Sequence, residues 1–130
     1  GSWVRLERYF ARESLLRPGI VPDGTRFILD GRVTLGIESE TAGLVVIARL
    51  GADDAVGLTA LTRSVTISRA FASSDVDVIF IPVQLLDEVV RMHPALARQL
   101  VREAENRVAQ ARTALAAVGE HLPFGRRVLG

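Results

Sequence analysis

Apolar and polar positions in the first two-thirds of the chain come in short runs, broken roughly every 8–12 residues by glycine, proline or aspartate. Runs rich in β-branched residues predict strands at Leu15–Leu16, Arg26–Leu29, Arg32–Glu38, Leu44–Leu50, Ile67–Ala72 and Val76–Pro82. Asp30-Gly31 stands between two of these runs and predicts a hairpin turn of type I′, because that turn needs positive φ, which aspartate and especially glycine tolerate. Across such a turn Arg32 and Thr34 face one side and Val33 and Leu35 the other. The polar, glycine-terminated stretch Glu38–Gly43 predicts a longer hairpin loop with a connecting role only. These runs make a compact all-β body.

After Pro82 the spacing of apolar residues becomes helical. Leu85, Leu86, Val89 and Val90 give an amphipathic helix over Val83–Met92, punctuated by His93-Pro94. A second, longer helix is predicted from Pro94 to Val118, with Ala97, Leu100, Ala104, Val108, Ala111, Leu115 and Val118 at near-heptad spacing between Arg98, Arg102, Glu103, Glu105, Arg107 and Arg112. Two uses of this stripe stand open: a homodimer seam through 94–118 in which small alanines allow close approach, or a helix packed lengthwise on its own domain. Gly119 ends the helix, and 119–130 reads as a connector or tail, breaker-rich over Glu120–Gly125 and ending in what would be the first turn of a further element at Arg126–Gly130.

A chain of 130 residues, 48% hydrophobic and 24% charged, supports one domain with one core, here 1–118. A formal charge of +1 argues against direct nucleic-acid binding by this stretch, which needs a concentrated basic face. With no cysteine, disulfides and thiolate metal sites are excluded, and no apolar run approaches the roughly 20 residues that span a bilayer. Gly1-Ser2 reads as an expression scar and Trp3 as the start of an excised piece, so the expectation is a cytoplasmic fragment, or the cytoplasmic domain of a membrane protein, with membrane contact only through a part not present. All 16 basic residues are arginine, a bias in composition from which no chemistry follows.

Four segments together resemble a cyclic-nucleotide-binding domain. Leu16–Gly19 (LRPG) precedes the strand leading to the first turn, Phe27–Val33 (FILDGRV) fits the apolar triplet and Gly-Arg-Val of the family, and Leu50–Gly57 (LGADDAVG) resembles the loop approaching the pocket. Asp75–Pro82 (DVDVIFIP) matches the last strand and the proline that opens the next helix. The resemblance covers Leu6 to Leu115 and implies an antiparallel β-roll of jelly-roll type followed by C-terminal helices, mainly β in class. It implies a regulatory sensor, not an enzyme, that couples a small anionic ligand such as cyclic AMP or cyclic GMP to helix movement, with no other cofactor and no metal. The larger protein is then a dimeric transcription regulator of the Crp/Fnr type or an ion channel with an appended sensor.

In that family a phosphate-binding cassette points backbone amides at the cyclic phosphate. Gly57, Leu58, Thr59, Ala60 and Leu61 fit its backbone: Gly57 supplies the unusual turn, Ala60 the close approach and Leu61 the anchor into the core. Two positions depart from the pattern. The family glutamate that accepts the ribose hydroxyl is Leu58 here, a loss of about 1.5–3 kcal/mol of charge-assisted bonding. The family arginine six residues before the alanine matching Ala72 is Thr66. A cassette about two residues shorter brings Ser68 or Arg69 near that place, and Arg63 lies on the same loop; either arginine rescues the charge or both are solvated. The alternative function is therefore an interaction or assembly domain that kept the roll and lost the nucleotide. Other chemistry fails: Asp53, Asp54, Asp75 and Asp77 read as turn and strand-edge residues, Thr62, Ser73 and Ser74 lack a base, and His93 is a helix-end residue. Trp3 and Tyr9 are expected to pack the N-terminal segment onto the roll, with the alternative for Trp3 of covering a surface that faces a helix not present.

Overall fold

The structure is a computed structural model that describes residues 3–120. The expected tail beyond Glu120, including the Arg126–Gly130 turn, and Gly1-Ser2 lie outside the described residues. The strands are β1 (Arg5–Tyr9), β2 (Ser14–Leu16), β3 (Gly24–Asp30), β4 (Val33–Ser39), β5 (Gly43–Leu50), β6 (Ala55–Val56), β7 (Ser68–Ala72) and β8 (Val76–Pro82). They form two four-stranded sheets, in the orders β1-β8-β3-β6 and β2-β7-β4-β5, with antiparallel neighbours throughout. The mainly-β roll with C-terminal helices is what the sequence predicts. β1 and β6 are additions to it, being too charged and too short, respectively, to stand out as apolar runs.

One expectation is overturned by the topology. Asp30-Gly31 does not close a hairpin, because β3 pairs with β6 and β8 whereas β4 pairs with β5 and β7. The turn instead carries the chain from one sheet to the other, and only Gly31 of the pair has positive φ, at 97°. A Cβ at Gly31 would lie 2.3 Å from the Asp75 carbonyl oxygen, so glycine is required by contact as well as by backbone. Because β4 is then a central strand, Thr34 is buried along with Val33 and Leu35, and its hydroxyl donates to Ser73 Oγ at 3.2 Å. What fails along β4 is the alternation of burial, since Val33 to Ile37 are all buried.

The inner faces of the two sheets supply the main core: Ile28, Val56, Val76 and Val78 from one, Val33, Leu35, Ile37, Val45, Ala70 and Ala72 from the other. At the β1 edge the core gives way to stacked arginines. The Arg5 and Arg26 guanidinium carbons each lie 4.4 Å from the Phe80 ring centroid, and Glu7 accepts from both, at 2.8 Å in each case. Tyr9 joins this network, accepting from Arg26 at 2.7 Å, but Trp3 is 78% exposed and does not pack on the roll as the sequence suggested.

Pro82 leads directly into α1 (Val83–Met92), and His93 both ends α1 and caps α2 (Pro94–Ala117). Most of the near-heptad stripe of α2 is spent on its own roll. Leu100 and Ala104 pack near β6 and β3, while Val108, Ala111 and Leu115 enter the main core. Of the two open readings, lengthwise packing on the domain is thus the one observed for Leu100, Ala104, Val108, Ala111 and Leu115, and a seam between copies would have to use the other face. Within the described residues no helix is long and apolar enough to cross a membrane.

Candidate functional site

The segment from Gly57 to Arg63 is a tight, well-defined turn. Gly57 adopts φ 94° and ψ 35° and caps a short 3-10 helix, Leu58–Thr62, whose far end is another left-handed residue, Arg63. Gly57 is held from behind: its carbonyl accepts the Thr25 hydroxyl at 3.1 Å, and a Cβ there would lie 2.8 Å from the Gly24 carbonyl oxygen. Leu58, Thr59 and Ala60 are all buried. Thr59 Oγ1 has no hydrogen-bond partner among the described atoms, an unusual state for a buried hydroxyl.

The side chains face in two directions. Leu58, where the resemblance implies a glutamate, is 4% exposed and packs with Ala55 and Leu100 in a second apolar cluster. Phe27, Leu61, Val90, Leu96 and Ala104 close that cluster from β3, the turn, α1 and α2. Thr66 and Ser68 lie inward and are satisfied by each other, their hydroxyl oxygens 2.8 Å apart, with the Ser68 amide donating to Thr66 Oγ1 at 3.1 Å. Neither candidate arginine joins them. Arg63 donates to Asp87 of α1, Nη1 to Oδ1 at 2.9 Å and Nη2 to Oδ2, while Arg69 donates to Glu38 at 2.8 Å and stands over the Phe71 ring. The Arg63 bond holds the Asp87 carboxyl below the usual range.

Thus Gly57, Leu58, Thr59, Ala60 and Leu61 form one turn, Thr66 and Ser68 sit inside the roll, and Arg63 and Arg69 bind carboxylates at its surface. The resulting site is a junction: a turn docked on two helices by an apolar plug, with an ion pair at its exit. Two further contacts fasten α2 on either side of it. Glu103 Oε1 accepts the Ala55 amide at 3.1 Å and the Arg107 guanidinium at 2.7 Å. At the far end the Glu120 carboxylate accepts the Ser39 hydroxyl and, at 2.9 Å, the Thr41 hydroxyl, which keeps its own pKa low. The β4–β5 turn therefore does more than connect: it anchors the chain as it leaves α2, where Gly119 (φ 77°) and the Glu120 amide close a Schellman motif on Ala116 and Leu115. Glu103 and Arg107 had a signal in the sequence, opposite charges four apart on the stripe that carries Leu100 and Ala111. Ser39 and Glu120 had none, since their meeting depends on the whole length of α2.

No family model matches the chain, and no curated protein does. Solved structures do. The catabolite activator protein of Thermus thermophilus superposes with a TM-score of 0.74 at 17% identity, over 88% of this chain and 55% of that one. The c-di-GMP-responsive global regulator CLP of Xanthomonas campestris gives 0.73 at 20% identity, over 88% and 58%. The regulatory subunit of a cAMP-independent protein kinase A from Trypanosoma brucei gives 0.68 at 16%, over 80% and 38%. The chain spans about half the length of the first two and less of the third. The likeness is one of fold, and the fold is that of cyclic-nucleotide-binding domains.

Proposed function

We propose that this chain is a regulatory module in which the protein's own apolar side chains join the cassette turn to the C-terminal helices, so that it works without a cyclic nucleotide. The observation that carries this reading is Leu58, buried against Leu100 where the ribose-binding carboxylate is expected. Arg63 and Arg69 support it, since both guanidinium groups are already paired with surface carboxylates. The fold accommodates varied inputs: its neighbours include a c-di-GMP-responsive regulator, a CO-dependent transcription factor and a cAMP-independent kinase subunit. The output domain is a transcription regulator in this reading, acting inside the cell, with a channel-appended module as the variant. A ligand or partner shifts such a module only through different affinity for two arrangements of α1 and α2.

A second reading, a sensor for a cyclic nucleotide, is favoured by one feature, the left-handed Gly57 at the head of the turn where the resemblance puts the cassette. Calorimetric titration with cyclic AMP, cyclic GMP and cyclic di-GMP separates the two. No heat of binding and no thermal shift is expected with any of them; a ligand at a hundredfold over its dissociation constant stabilises the fold by about 2.7 kcal/mol, and such a shift would overturn the first reading in favour of the second.

A further inference from the structure

Arg107 is 2% exposed and is the one charged residue among the buried polar side chains described. It lies on the inner stripe of α2, between the apolar cluster around Leu58 and the main core that begins with Val108. A guanidinium in such a place requires an anion, because desolvation without a counter-charge is costly. The anion provided is Glu103, one turn earlier on α2 and still partly open to solvent at 23% side-chain exposure. Its Oε1 receives two donors from different elements, the Arg107 guanidinium at 2.7 Å and the Ala55 backbone amide at 3.1 Å. Ala55 opens the two-residue strand that runs into Gly57. A cation and a backbone amide converging on one oxyanion is also the way proteins hold free carboxylates and phosphates. Asp54 also acts on Arg107 and is itself engaged by the Gly51 amide at 2.8 Å.

We infer that Arg107 and the Ala55 amide form an anion cradle at the seam between α2 and β6, filled by the chain's own Glu103 and able to take a small free carboxylate when Glu103 is withdrawn. The seam is then self-liganded. Glu103 keeps α2 against the strand leading to the cassette turn, the task a bound anion would otherwise perform, and a shift of α2 that carries Glu103 away from Ala55 opens the cradle. The inference rests on the reading above in one respect only, that the occupied state needs no nucleotide.

Chemical rescue in the full chain tests it. Glu103→Ala should lower the melting temperature, and acetate, added at constant ionic strength and neutral pH, should raise that of the variant by about 3–5 °C in a saturable way while leaving the parent chain unmoved. Inorganic phosphate in place of acetate separates a site shaped for a carboxylate from one that takes any oxyanion. The double variant Glu103→Ala/Arg107→Met, which removes the cation, should lose the rescue. If Glu103→Ala gives no cooperative transition, Glu103→Ser, which also vacates the cradle, is read in the same way. Equal response of parent and variant to acetate, or rescue that survives loss of Arg107, would overturn the cradle. Cyclic-nucleotide binding by the parent chain bears on the proposed function and leaves this outcome distinct.

Discussion

Leu58 exchanges one kind of bonding for another at a single position. A carboxylate there would need a hydroxyl or a cation inside the roll; a leucine needs only apolar neighbours, and Ala55 and Leu100 provide them. Leu58→Ala is therefore expected to cost about 2–5 kcal/mol, the range for truncating a buried leucine, read as a lower urea midpoint with unchanged slope. Gly57→Ala meets two obstacles, a left-handed backbone and a Cβ 2.8 Å from the Gly24 carbonyl oxygen. A loss of more than about 1 kcal/mol in the same assay is expected, and a neutral result would mean that the turn relaxes freely. At this scale the sequence was a good guide to the backbone and a partial one to the side chains. The turn could be read from Gly57 because a positive φ depends on residue type. The directions of Arg63 and Arg69 could not, because they are decided by Asp87 and Glu38, carboxylates 24 and 31 residues away along the chain.

Elements with a strong period, β5, β8, α1 and α2, lie within a residue or so of where the apolar pattern puts them. The failures have a common cause. Whether Asp30-Gly31 joins two strands of one sheet or passes between sheets depends on pairings with β7 and β8 that form far along the chain, and no local signal carries them. The short β6 is a strand only because β3 lies beside it. The contact of the cassette turn with α1 is also invisible locally, and it has a pH signature. Hydrogen bonding to Arg63 depresses the Asp87 pKa, so the pair's contribution is fully present above the ordinary aspartate range and fades as pH falls through the lower, folded-state value. The stability difference between the parent chain and Asp87→Asn should accordingly be constant near neutrality and shrink in acid. Both partners are about half exposed, so the difference is expected to be small, and a gap that widens in acid would mean that the pair is not what links the turn to α1.

For the whole molecule the decisive fact is where α2 lies. The stripe from Leu100 to Leu115 packs on the roll, so truncating it there should act on folding and not on association. Leu115→Ala is expected to lose about 2–5 kcal/mol by an amount that does not vary with protein concentration, checked by melting at concentrations a hundredfold apart. A loss that grew on dilution would restore the stripe as a seam between copies. The sequence supplied the stripe and its charges but not its partner, since a heptad-like spacing is equally suited to a neighbour's helix and to the mouth of one's own roll.

The placement of α2 has a mechanical corollary. The N-terminal half of this 24-residue helix is referenced to the first sheet, through Ala55 and Phe27, and the chain just past its C-terminus to the second, through the Ser39 turn. At about 1.5 Å per residue it is a rod roughly 36 Å long resting on two supports that belong to different layers. Such a rod behaves as a caliper. A widening or narrowing of the gap between the layers, too slight to disturb either one, tilts the rod and is carried to its tip as a change of heading.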